Sequence, residues 1–115
     1  MPTFRTDSRE HHVRGTLCRL TSEDVTIEVI VTTHARERLH RWQLTEDQVF
    51  ETLLSPNEVL TGHGGRYIAH RLYEEHVLRV VYEYFGSTPL IVTMYFPYAS
   101  RYYQGGGSYA DQILS

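Results

Sequence analysis

The chain contains no lysine, so all 11 of its basic residues are arginine. Any permanent cation here is a planar guanidinium, a group whose fork matches phosphate and carboxylate. Biased genome composition would leave the same mark, so the absence alone assigns no chemistry. Cysteine is almost as scarce. Cys18 stands alone, which excludes an internal disulfide and fits a cytoplasmic protein. No base stands near it in sequence, which argues against nucleophilic catalysis. No apolar run approaches the roughly 20 residues of a membrane span, so no membrane association is expected. Met1 to Arg19 is polar and lacks an apolar centre, so no secretory leader is expected. The pair His11–His12 lacks the spacing and the third ligand of a metal site. Neither a metal nor a cofactor is expected.

What remains is ordinary for one globular domain. The 115 residues are 41% hydrophobic and 22% charged, with a formal charge of -3. That sign argues against nucleic-acid binding through bulk charge. Residues 1–22 read as a polar N-terminal segment, either disordered or one extra strand. Met1 to Val13 favours disorder, while Arg14 to Leu20 can form a strand that turns through "TSED". Residues 23–115 read as a single domain with a Tyr- and Gly-rich tail.

Val25 to Val31 alternates as a half-buried strand. Thr33 fits a helix N-cap, and Ala35, Leu39 and Trp42 recur as the core stripe of a first helix. Thr45 and Gln48 form a capping box that opens a second helix, which "SPNE" stops at Pro56. "TGHGGR" is a glycine turn without the Lys and Ser/Thr of a phosphate loop. Strands then follow over Arg66 to Leu72, Val77 to Phe85 and Leu90 to Phe96. The order strand-helix-helix-strand-strand-strand predicts an α+β fold with two helices on one face of an antiparallel sheet.

Turn geometry sets the register. With the turn at Tyr73 to His76, Leu72 pairs Val77 and His70 pairs Arg79. With Gly86 to Thr88 as the next loop, Phe85 pairs Pro89 and Arg79 pairs Tyr95. The helix-bearing face then holds Leu78, Val80, Tyr82, Leu90, Val92, Met94 and Phe96. A row His70–Arg79–Tyr95 crosses the opposite face beside Arg66, Glu83, Ile91 and Thr93. Directly opposed side chains stand about 4.5–5.5 Å apart at Cβ, close enough to share a ligand.

The segments "HARERLHRWQLTEDQVFETLLSPNEV", "GRYIAHR", "HVLRVVYEY" and "LIVTMYFPYASRYYQGGGSYADQIL" resemble a widespread, largely uncharacterised bacterial domain family grouped with the RelE and BrnT toxins. The likeness covers roughly Val29 to Leu114. It implies a RelE-like fold and metal-independent endoribonuclease activity on RNA, held in check by an antitoxin protein. Its matching positions here are His34, Arg38, Arg41, Arg79, Thr93 and Tyr95. The chain departs from RelE toxins in being acidic overall and free of lysine.

Such cleavage needs a base for the 2′-hydroxyl, a cation for the crowded phosphate and an acid for the leaving oxygen. His70 suits base or acid. Arg79 and Arg66 suit the phosphate. Tyr95 suits proton donation or base stacking. His34, Arg38 and Arg41 would complete the substrate-binding edge. Each has a plainer alternative. Glu83 can pair with Arg79 or with Arg66. His70 can be a buried structural residue, Tyr95 a packing residue, and His34 a tie from helix to sheet. Arg36, Glu37 and His63 read as surface residues. Two further functions stay open: a non-catalytic RNA- or protein-binding module, and a small homo-oligomer assembled through the tail, where four tyrosines surround Arg101.

Overall fold

The computed structural model describes residues 4–114. Strands β1 (Arg5–His12), β2 (Gly15–Ser22) and β3 (Val25–Val31) form an antiparallel meander. Helices α1 (Thr33–Arg41) and α2 (Glu46–Leu54) follow. A second antiparallel run then comprises β4 (Glu58–Thr61), β5 (Tyr67–Tyr73), β6 (His76–Phe85) and β7 (Thr88–Tyr95), before the short helix α3 (Ala99–Tyr102). The two runs make one sheet in the order β1-β2-β3-β7-β6-β5-β4. They join where β3 lies parallel to β7, through Ile30↔Leu90 and Val31↔Ile91.

This overturns the RelE-like architecture expected from the sequence. The sheet is mixed, not antiparallel. Its helices are not N-terminal, because three strands precede them. Nor do the helices share one seat: α1 lies along β7, and α2 lies over β5 and β6. The physical reasons are local. β1 is an edge strand with little burial on either side, so its sequence carries no apolar alternation. Arg5–His12 is thus strand where disorder was favoured, while Met1 to Thr3 lie outside the described residues. β4 has four residues and opens on a buried glutamate, which hides it among turn signals.

Thr32, one residue before the expected cap, starts α1. Its Oγ1 accepts from the Ala35 amide at 3.1 Å. It also donates toward the Ile91 and Val92 carbonyls at 3.0 and 3.1 Å, which locks the helix start onto β7. The capping box of α2 is present, with Gln48 N to Thr45 Oγ1 at 3.1 Å and Thr45 N to Gln48 Oε1 at 2.9 Å. Val29, Val31, Ala35, Leu39, Phe50, Leu53, Val80, Tyr82, Ile91 and Met94 are buried together as the core. Burial of each large apolar side chain contributes about 1.5–3 kcal/mol. Cys18 lies in this core, and burial pushes its thiol up, away from the nucleophilic form.

The first hairpin has the expected register, with Leu72↔Val77 and His70↔Arg79. The second does not begin as expected. Its turn is Gly86–Ser87, so Phe85 pairs Thr88 rather than Pro89. Carried on unchanged, that shift would set Arg79 opposite Met94. A bulge at Val92 absorbs it: Tyr82 pairs Ile91, Val81 pairs Thr93, and Arg79 again pairs Tyr95. The bulge exchanges the faces below it. Ile91 joins Tyr82 in the core, and Leu90 moves to the outward face beside Glu83.

The tail wraps the sheet as a strap. Tyr98–Gly107 lies over the outward face, where the Glu58 oxygens accept from the amides of Gln104 and Gly106 at 2.9 Å each. Ser108–Ala110 then seals the β4 edge, with Val59 N to Ser108 O at 2.9 Å and Ala110 N to Val59 O at 2.8 Å. On the helix side, the Tyr82 and Tyr84 hydroxyls each donate to Asp111 Oδ2 at 2.6 Å. Ile113 and Leu114 close the strap against the core. Among the described residues, no helix is long and apolar enough to cross a membrane.

Candidate ligand-binding site

The row on the outward face is one residue longer than expected. Glu58↔His70, His70↔Arg79 and Arg79↔Tyr95 are successive opposed pairs across β4, β5, β6 and β7. Glu58 is the addition. Its place in "SPNE" reads as a helix stop, and only the pairing of β4 with β5 reveals its role.

Glu58 and His70 are both fully buried, 2.7 Å apart from Oε2 to Nδ1. Burial opposes the charge on Glu58, but the Gln104 amide, the His70 ring and the Gly106 amide outweigh it. Its carboxyl therefore lies below the ordinary value. Burial pulls His70 down from its ordinary value, Arg79 adds to this, and Glu58 opposes it. We assign His70 as the neutral tautomer that donates Nδ1–H to the Glu58 carboxylate. Its Nε2 then carries a lone pair. That atom and Arg79 Nε are buried with no hydrogen-bond partner among the described residues. His70 is fully buried and does not line the cleft described next.

Arg79 stands between this buried pair and an open cleft. Its guanidinium carbon lies 4.0 Å from the centre of the Tyr102 ring, contributed by α3. A desolvated cation–π contact of this kind is worth about 2 kcal/mol. Burial pulls the arginine's pKa down, yet its margin above neutrality leaves it charged. The cleft has a volume of about 350 Å³ and is lined by Trp42, Arg79, Tyr95, Phe96, Pro97 and Tyr102. Among the described residues, no carboxylate lines it. That size lies at the lower end of the roughly 300–1,000 Å³ typical of small-molecule pockets. Trp42 was expected in the core stripe of α1. It is instead the C-cap residue, 39% exposed, and forms a wall of the cleft.

The remaining expected site residues divide. Arg38 lies over one lining residue of the cleft, its guanidinium 5.8 Å from the centre of the Tyr95 ring. Arg41 is exposed immediately before Trp42. His34 Nε2 meets Thr93 Oγ1 at 3.1 Å and ties α1 to β7, as the plainer alternative had it. Arg66 does not join them. Its Nε donates to Glu83 Oε1 at 3.0 Å, at the far end of the face.

Charge pairing separates the arginines by place. Arg5, Arg9, Arg19, Arg36, Arg66 and Arg71 each pair with a carboxylate. Among the described residues, Arg14, Arg38, Arg41, Arg79 and Arg101 have no such partner. Arg14 lies over Phe85, away from the cleft. The other four line the cleft, stack on its wall or adjoin a lining residue in sequence. The sequence carried the hint, because Arg41 precedes Trp42 and Arg101 precedes Tyr102. No group of three His, Cys, Asp or Glu among the described residues is placed to hold a metal ion.

Comparison with known proteins finds one relation. No curated protein and no solved structure matches the chain. Residues 31–96 match the domain of unknown function DUF4258, a match with no assigned activity and no link to the RelE or BrnT toxins. That span runs from the end of β3 through β7 and holds Arg38, Arg41, Trp42, Glu58, His70, Arg79 and Tyr95, while the strap that completes the cleft follows it. With more than half its length inside the match, the chain belongs to the DUF4258 family.

Proposed function

We propose that this protein binds single-stranded RNA, seating a nucleotide in the aromatic cleft with its phosphate on Arg79. The observation that carries the reading is the charge pattern. In a chain of net charge -3, two of the arginines left without carboxylates, Arg79 and Arg38, stack on the aromatic lining of one cleft, and two more, Arg41 and Arg101, directly precede lining residues in sequence. Arginine supplies the phosphate contact, and Trp42, Tyr95 and Tyr102 supply stacking faces that any base can use. The burial of His70 favours binding without cleavage.

Trp42 is the only tryptophan of the chain and a wall of the cleft, so its fluorescence reports occupancy directly. Titration with a fluorescent single-stranded RNA octamer should quench it and raise the octamer's anisotropy with the same midpoint. The octamer recovered at the end should be intact. Binding should weaken with salt, and Arg79→Ala should lower the salt slope by about one phosphate contact. An RNA that binds without quenching Trp42 would place the interface elsewhere. Specific cleavage products that Arg79→Ala abolishes would replace binding with catalysis.

A further inference from the structure

One buried carboxylate bonds both the histidine opposite the cleft's central cation and the strap that carries Tyr102. Arg79 has two neighbours on the strap and the sheet. One is Tyr102 of the strap, with the ring centre 4.0 Å from its guanidinium carbon. The other is His70, the residue directly opposite on β5. Glu58 holds both. Its Oε2 takes the His70 ring at 2.7 Å and the Gln104 amide at 2.9 Å, and its Oε1 takes the Gly106 amide at 2.9 Å. Gln104 lies two residues beyond Tyr102 in the strap. Glu58 itself does not line the cleft.

We propose that Glu58 is a positioning residue for the ligand-binding arginine: by holding the His70 ring and the strap together, it fixes the Arg79 guanidinium at the cleft. The proposal rests on the reading of the cleft as the binding site. Its physics is that of a preorganised cation. A guanidinium with a free rotor searches several positions, and ligand binding must then order it. Here the Tyr102 face covers one side without using the charge, and the His70 ring limits the other. A neutral His70 is part of the arrangement, since a buried imidazolium beside Arg79 would repel it. The charged and titratable groups facing His70 are Glu58 on β4, Arg79 on β6 and Tyr103 of the strap, whose ring centre lies 6.5 Å from that of His70. The carboxylate is required in its charged form, because three donors converge on it.

Two substitutions test this from opposite sides. Glu58→Gln keeps the shape but offers one acceptor oxygen and an NH₂ group, so it cannot take all three donors. Gly106→Ala leaves Glu58 intact and disturbs the strap. Gly106 has φ +82°, and a Cβ there would run into the Tyr103 hydroxyl. The readout is the ¹⁵N NMR resonance of the Arg79 Nε–H group, which is buried and so exchanges slowly with solvent. Both variants should shift that resonance and speed its exchange, and both should weaken octamer binding about tenfold. Faster exchange at the Gln104 and Gly106 amides with an unmoved Arg79 resonance would overturn the proposal, leaving Glu58 as a pin for the tail alone. If Glu58→Gln does not fold, Gly106→Ala decides by the same criterion. If the wild-type chain binds no octamer, the RNA reading falls, while the Arg79 resonance still decides the positioning role.

Discussion

The outward face of the sheet carries an arginine at each end and treats the two oppositely. At one end Arg66 spends its charge on Glu83, at 3.0 Å, with both side chains partly in water. Four positions along β6, about 13 Å away at roughly 3.3 Å per residue, Arg79 meets aromatic rings instead. The cation–π contact holds the guanidinium in place without neutralising it. Arg66 is therefore settled within the chain. Arg79 is oriented, half-buried and still short of an anion. The same side chain, two pairs apart on one face, serves surface cohesion in one place and in the other is the cation proposed to capture a ligand.

The largest expected effect comes from removing the oriented cation. Arg79→Ala should weaken octamer binding about 10- to 100-fold, since hydrogen bonds to a charged group are worth about 1.5–3 kcal/mol. Arg79→Lys keeps the charge but loses the fork and the stacked plane, so its affinity should lie between the two. Isothermal titration on wild type and both variants orders them; equal affinities for Ala and wild type would erase the contrast between the two ends. The next effect belongs to the stacking faces. Trp42→Leu should cost about tenfold in affinity, within the roughly 1–3 kcal/mol per stacked base. Because Trp42 is 39% exposed, its melting temperature should hardly move.

How much of this was legible in the sequence can be traced residue by residue. The capping box at Thr45 and the hairpin that opposes His70 to Arg79 depend on local chemistry, and both are present as read. The opposition of Arg79 to Tyr95 was reached through a wrong step. The loop is one residue shorter than read, and the Val92 bulge restores the pairing, with the Thr32 hydroxyl on the Val92 carbonyl. Bulges carry no local signal in a strand as apolar as Leu90 to Phe96. Strand β1 was hidden because an edge strand needs no apolar face. The parallel joint of β3 to β7 was hidden because 60 positions separate Ile30 from Leu90. Glu58 was missed because its partners come from β5 and the strap. A glutamate after Pro56 reads as solvent-facing until those elements close over it.

Acid should break the Arg79 end selectively. His70 titrates below its ordinary 6.5 in the folded chain, so the unfolded chain takes the proton first. Its contribution to stability is full above pH 6.5 and falls as the pH drops through 6.5 toward the folded value. Glu58 titrates below its ordinary 4.5, so its contribution is full above pH 4.5 and is lost as the pH falls through its folded value. Urea unfolding midpoints should therefore decline from pH 7 to pH 5 and decline further below 4.5. His70→Gln should be less stable at pH 7 and flatter between pH 7 and pH 5. A wild-type midpoint independent of pH across that interval would contradict a neutral, buried His70.

The smallest effect should come from the far end of the face. The Arg66 and Glu83 side chains are 46% and 34% exposed. Water screens such a pair, and ordering two long side chains costs entropy, so exposed pairs contribute about 0–1 kcal/mol. Arg66→Ala should change the unfolding free energy by no more than about 0.5 kcal/mol, keep the acid decline set by His70 and Glu58, and leave octamer affinity within about twofold of wild type. The comparison is sharpest in the double variant. Arg66 and Arg79 share no partner and stand more than about 10 Å apart, so their effects should add in Arg66→Ala/Arg79→Ala. A loss of affinity in Arg66→Ala comparable to that in Arg79→Ala would mean that RNA displaces Glu83 from Arg66 and runs the length of the face, making the paired end part of the binding track.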